Sequence, residues 1–156
     1  MIELDLDVSS KTVVSNLTKQ GIFIPTTFDY ETPTVPSDLT AMSHEEVINL
    51  YNILVEYGNF LALQTTVAEI SVTELDKQLK LQEAEATHAA AKGTTATKIK
   101  ADLLVLPGYQ STLDRRDYYA AYGSLLKTLQ KNTGEQAWVV KADLQRRKQA
   151  FGSFTA

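Results

Sequence analysis

From Ser43 to about Ala91 small and apolar residues recur every seven positions. Val47, Leu54, Leu61, Ala68, Leu75 and Ala89 form one line and Tyr51, Gly58, Val72, Leu79 and Ala86 a second, with Thr65 and Gln82 as polar interruptions. No proline interrupts the run, so the pattern predicts one continuous helix. Its start is marked by Ser43 and, three residues on, Glu46: a hydroxyl and a carboxylate at this spacing each take the other's backbone N–H. Its end is marked by Gly93, because glycine enters the left-handed cap region without a Cβ clash. At 1.5 Å per residue such a helix runs about 70 Å, too long to bury its seam in a small globule, so it needs a long partner.

The second half supplies one. Thr94 to Leu106 reads as a short helix with Ile99, Leu103 and Leu106 on one side, ended by Pro107-Gly108. A last helix from Ser111 to Ala150 follows, with Asp114 in its first turn and a buried line through Tyr118, Tyr122, Leu126, Leu129, Thr133, Ala137, Val140 and Leu144. Asn132-Thr133-Gly134 is the place where it would break, but the stripe keeps its phase there and continuity is favoured. The expected fold is mainly α: an elongated antiparallel helical hairpin or coiled coil over residues 41–156. In such a hairpin Tyr51, Leu54, Leu61, Leu75 and Leu79 stay partly wet, which predicts a homo-oligomer interface on them.

Residues 1–40 differ in period. Ile2, Leu4, Leu6 and Val8 alternate with acidic residues as in a half-buried strand. A short helix capped by Ser9 or Ser10 and carrying Val13, Val14 and Leu17 runs to Gly21, and Ile22-Phe23-Ile24 reads as a second strand. Pro25 to Thr40 holds three of the four prolines and reads as an extended arm. It is either a plain connector or a grip on a neighbouring subunit through Phe28, Tyr30 and Val35.

Charge changes this picture more than composition does. The net charge of −4 divides unequally, with 14 acidic against 4 basic residues up to position 91, and 11 basic against 5 acidic after it. Such asymmetry points to a polyanion-facing end or to self-association of unlike ends. Lys98, Lys100, Arg115, Arg116, Arg146, Arg147 and Lys148 are the candidate phosphate contacts. Tyr109, Tyr118, Tyr119 and Tyr122 interleave with them as faces for single-stranded bases, unless their helical spacing places them in the core.

Other chemistry is scarce. There is no cysteine, hence no thiolate metal site, disulfide or thiol nucleophile. Glu85 and His88 have the Glu-x-x-His spacing of carboxylate metal bundles, but no second copy exists, because Ala41 stands where His44 would need a glutamate. No phosphate loop, nucleophile elbow or nucleotide fingerprint is present. Neither enzymatic activity nor a metal or other cofactor is expected. The acidic amino terminus lacks a basic region and an apolar run, so neither a leader nor a membrane partner is expected.

The runs Asp38-Leu39-Thr40 to Glu45-Glu46-Val47, Leu50-Tyr51, Leu54, Tyr57, Asn59-Phe60 and Ala68-Glu69-Ile70 resemble small helical proteins of tailed bacteriophages. So do Asp117-Tyr118-Tyr119-Ala120-Ala121-Tyr122, Val139-Val140 and Leu144-Gln145-Arg146-Arg147. More distantly, the layout resembles UvsY-type recombination mediators: a short amino-terminal element, a long helix, a basic connection and a last helix entered through tyrosines. The resemblance covers most of the chain; the Pro-rich arm and the few basic residues on the first long helix depart from it. It implies a cofactor-free, oligomeric accessory protein of the host cytoplasm that binds single-stranded DNA and helps a RecA-like recombinase load. The alternative is a phage assembly or virion structural protein acting through coiled-coil surfaces and its arm.

Overall fold

The computed structural model describes residues 2–3, 8–21, 27–29 and 31–153. In chain order they form strand β1 (Ile2–Glu3), helix α1 (Val8–Lys19), strand β2 (Thr27–Phe28) and helices α2 (His44–Ala89), α3 (Ala96–Leu104) and α4 (Pro107–Ser153). The protein is mainly α, with α2 and α4 packed against each other as a helical hairpin.

The local signals act as their chemistry requires. The Ser43 N–H donates to Glu46 Oε2 at 2.6 Å and the Glu46 N–H to Ser43 Oγ at 3.2 Å. These bonds satisfy amides that the first turn leaves unpaired. The bond from the Ser43 backbone, then that from its hydroxyl, hold the Glu46 carboxyl below its ordinary range. Gly93 takes φ +94° just past α2, and Thr95 caps α3 by accepting from the Lys98 N–H. Pro107 departs from expectation. Helix α3 ends before it, at Leu104, and Pro107 itself opens α4, since the first helical position has no use for an N–H and favours the φ that proline fixes. Helix α4 therefore starts four residues before Ser111, and it runs unbroken through Asn132, Thr133 and Gly134.

The chain divides into two compact units, each taking one part of α2 and one part of α4. Unit 1 comprises residues 1–64 and 125–156. Its centre is Val47, Leu54 and Val140, all fully buried, with Val35, Leu39, Met42, Leu50, Tyr51, Ala137 and Leu144 packed around them. Phe28 of β2 lies beside Tyr57 and Phe60, with ring centroids 4.9 and 5.9 Å apart. Phe28 and Val35 thus pack on the chain's own α2, where the alternative reading had them gripping a neighbour; Tyr30 lies outside the described residues. Strand β1, described at Ile2–Glu3, pairs antiparallel with β2, Ile2 opposite Phe28, and Val8, expected at the end of the strand, belongs to α1. Leu4, Leu6 and the Ile22–Ile24 strand fall outside the described residues.

Unit 2 comprises residues 65–124: the second part of α2, all of α3 and the first part of α4. Leu79, Leu103 and Tyr109 form its core, with Ala86, Ile99 and Leu113 against them. A Cβ built on Gly123 would stand 3.4 Å from the Ala68 Cβ, so the two helices approach closely there.

Four of the five residues expected at an oligomer interface are accounted for within the chain. Leu54, Leu61, Leu75 and Leu79 are buried and Tyr51 is half-buried; Leu54 and Tyr51 pack with Val140 of α4, and Leu79 with Leu103 of α3 and Tyr109 of α4. The partial exposure expected of them is absent from the four leucines and kept by Tyr51.

Candidate nucleic-acid interface

The buried seam of α4 runs through Arg116, Tyr119, Gly123, Leu126, Thr133, Ala137, Val140 and Leu144. From Leu126 onward this matches the expected line except at Leu129, which is exposed. Before Leu126 the observed seam is displaced around the helix from the expected one: the small Gly123 and the stem of Arg116 lie in it, with Tyr119, and Tyr118 does not. Tyr118 consequently stands on the surface, 63% exposed. Its ring lies nearly parallel to that of the half-buried Tyr122 at 6.1 Å and edge-on to Tyr119 at 5.4 Å. Tyr109 does the opposite. It is buried, and its hydroxyl donates to Glu83 Oε1 at 2.7 Å. That bond, with burial and the Glu83 charge adding to it, raises the Tyr109 pKa.

The seven expected phosphate contacts fall in both units and in different environments. In unit 2, Lys98 and Lys100 of α3 and Arg115 of α4 are exposed. Arg116 is half-buried, with Nε 3.3 Å from Asp76 Oδ1 and Nη1 2.7 Å from Asp117 Oδ1. In unit 1, Lys148 is exposed, and Arg146 is largely exposed while donating to Asp143.

Arg147 is a structural clamp. Its Nε donates to Asp143 Oδ2 at 2.6 Å, its Nη1 to the Met42 carbonyl at 2.8 Å, and its Nη2 to the Leu39 carbonyl. The guanidinium fork thus ties α4 to the segment leading into α2 and is spent there, so Arg147 is withdrawn as a phosphate contact. Burial pushes the Asp143 carboxyl up, but the hydrogen bonds and charges of Arg147 and Arg146 prevail and leave it lowered. The sequence carried a signal for this: Asp143 stands three and four residues before the two arginines, the spacing at which side chains on a helix meet.

Of the expected cluster, Arg115 remains on the tyrosine face, three and seven residues before Tyr118 and Tyr122. A cation beside parallel aromatic faces suits a strand of stacked bases with its phosphates. Glu85 and His88 are both exposed, and among the described residues no group of three or more acidic or histidine side chains is placed to hold a metal ion. No described helix is long and apolar enough to cross a membrane. No family model, curated protein or solved structure matches this chain.

Proposed function

We propose that this chain is a non-enzymatic accessory protein of phage recombination, acting in the host cytoplasm, that binds single-stranded DNA and helps a RecA-like recombinase load. The observation that supports it is the parallel Tyr118–Tyr122 pair, its outer ring exposed, with Arg115 on the same helix face. A base laid on such an exposed ring is held by about 1–3 kcal/mol.

The test separates stacking from charge. Replacing Tyr118 and Tyr122 by alanine is expected to weaken oligothymidylate binding about tenfold or more while leaving its salt dependence unchanged. Replacing Arg115 by alanine is expected to flatten the log-log salt slope by about 0.7, the share of one phosphate on a single strand. Circular dichroism should be unaltered in both, because Arg115 and Tyr118 are exposed and Tyr122 is only half-buried.

The assembly reading keeps one observation of its own. Leu125, Leu129 and Val139 are exposed on α4, apolar positions that a second copy would cover. If that reading holds, the wild-type protein has negligible affinity for oligonucleotides at physiological salt, and Leu125→Asp changes the mass measured by light scattering.

A further inference from the structure

Unit 1 contains a cleft of about 430 Å³ whose lining includes His44 and Ile48 of α2 and Lys141, Leu144, Gln145 and Lys148 of α4. The α4 residues recur at three, four and seven positions, so they make one face of that helix. The floor is aliphatic, from Ile48 and Leu144, and the rim carries two lysines; among the described lining residues there is no carboxylate. The same face continues. Val55, one heptad after Ile48, is partly exposed, and Trp138, one heptad before Gln145, is 71% exposed. Lys131, a further heptad back from Trp138, is exposed and paired with Glu135 at 3.9 Å, so the positive charge of the face rests on Lys141 and Lys148.

We propose that this cleft docks an acidic amphipathic helix of a partner protein. Apolar side chains along both walls, Ile48 and Val55 on α2 and Trp138 and Leu144 on α4, are what a third helix needs, its own apolar stripe entering between α2 and α4. The lysines select a stripe flanked by glutamate or aspartate. They also disfavour a basic helix, since like charges brought together at an interface repel and exclude the wrong partner. An aliphatic floor gives nucleic acid little: bases stack on aromatic faces, and Trp138 is the one aromatic on this stretch of the face.

Trp138 is the chain's single tryptophan and therefore reports on the cleft directly in the intact protein. The probe is a synthetic peptide of about three heptads, free of tryptophan, with leucine at the a and d positions and glutamate beside them. It is expected to shift the Trp138 emission to the blue, saturably and with micromolar affinity. The same peptide with lysine in place of glutamate should give no shift. Lys141→Glu combined with Lys148→Glu should weaken the acidic peptide about tenfold or more and admit the basic one. Ile48→Asn should weaken the acidic peptide without changing helix content.

Three results would overturn the proposal. One is equal binding, or no binding, of the two peptides. Another is a blue shift that grows with protein concentration in the absence of peptide, which would assign the cleft to a second copy. The third is oligothymidylate that quenches Trp138 and loses affinity on the charge reversal, which would make the cleft a nucleic-acid groove. Loss of DNA binding in the Tyr118 and Tyr122 variants bears on none of these, so the two proposals fail separately.

Discussion

The two units are made from the same two helices, yet they bury their seams in different ways. In unit 1 the seam is branched and aliphatic, and a further layer from the chain before α2 covers one flank: Phe28 on Tyr57 and Phe60, and Val35, Leu39 and Met42 on the Val47, Leu54 and Val140 cluster. In unit 2 the helices come close through Ala68 and Gly123, and the short α3 supplies Ile99 and Leu103. Polar fastening differs as well. Unit 1 buries a carboxylate between two arginines, one of which reaches two backbone carbonyls, whereas unit 2 joins its helices by Tyr109 to Glu83 and by the half-buried Arg116 to Asp76. A helix pair needs cover on its flanks to bury more than its seam, and the flank that carries Tyr118 has none from the described chain, leaving that ring 63% exposed.

The largest effect should come from cutting the fastening of unit 1. Asp143→Asn keeps the side-chain shape but removes the counter-charge of Arg147, leaving a mostly buried guanidinium uncompensated. About 3 kcal/mol or more of stability should be lost, as read by urea denaturation. The pH dependence follows from the same contact. Because the folded carboxyl is lowered, its contribution is present above the unfolded pKa of about 3.9 and is lost as pH falls through the lower, folded value. The wild type should lose stability on acidification through that window and the Asp143→Asn variant should lose less. Equal acid sensitivity would mean that Asp143 contributes nothing to the fastening.

Unit 2 should respond more weakly to the corresponding cut. Tyr109→Phe preserves the ring among Leu79, Leu103 and Leu113 and deletes the bond to the half-buried Glu83 carboxylate, at a cost of about 1–2 kcal/mol. Since this phenol is raised, its contribution is present below the unfolded tyrosine value of about 10 and fades as pH rises through the folded one. The comparison between units fails if Tyr109→Phe costs as much as Asp143→Asn in the same titration.

Much of this was legible in the sequence because it is local or periodic. The capping box at Ser43, the stop at Gly93, the heptads of α2 and the continuity of α4 all depend on neighbours within a few turns. What was misread depends on packing between distant segments. Burying Phe28 and Val35 needs α2 to be in place, and no spacing inside the arm reveals that. The expected line through Tyr118 follows side-chain size, while the helices meet closely at Gly123, where a Cβ would already stand 3.4 Å from that of Ala68. Arg147 looked like one of three consecutive cations because its acceptors, the carbonyls of Leu39 and Met42, lie about a hundred residues earlier. The tyrosine pair that supports the functional reading was present as spacing, but which face of α4 it occupied was not.

The smallest expected effect sharpens the comparison through two glycines of α4, one in each unit. Both sit in a helix interior, where alanine is favoured over glycine by roughly 0.5–1 kcal/mol because glycine loses more backbone freedom on folding. A Cβ at Gly134 would meet nothing within 4 Å, so Gly134→Ala in unit 1 should realise that gain. At Gly123 in unit 2 the new methyl would stand 3.4 Å from Ala68, and any separation of the helices needed to seat it subtracts from the same gain. Chemical denaturation of the two variants should therefore raise the midpoint for Gly134→Ala and raise it less, or not at all, for Gly123→Ala. A gain at Gly123 equal to that at Gly134 would show that unit 2 has room to spare, and that its close helix approach is not what holds the pair together.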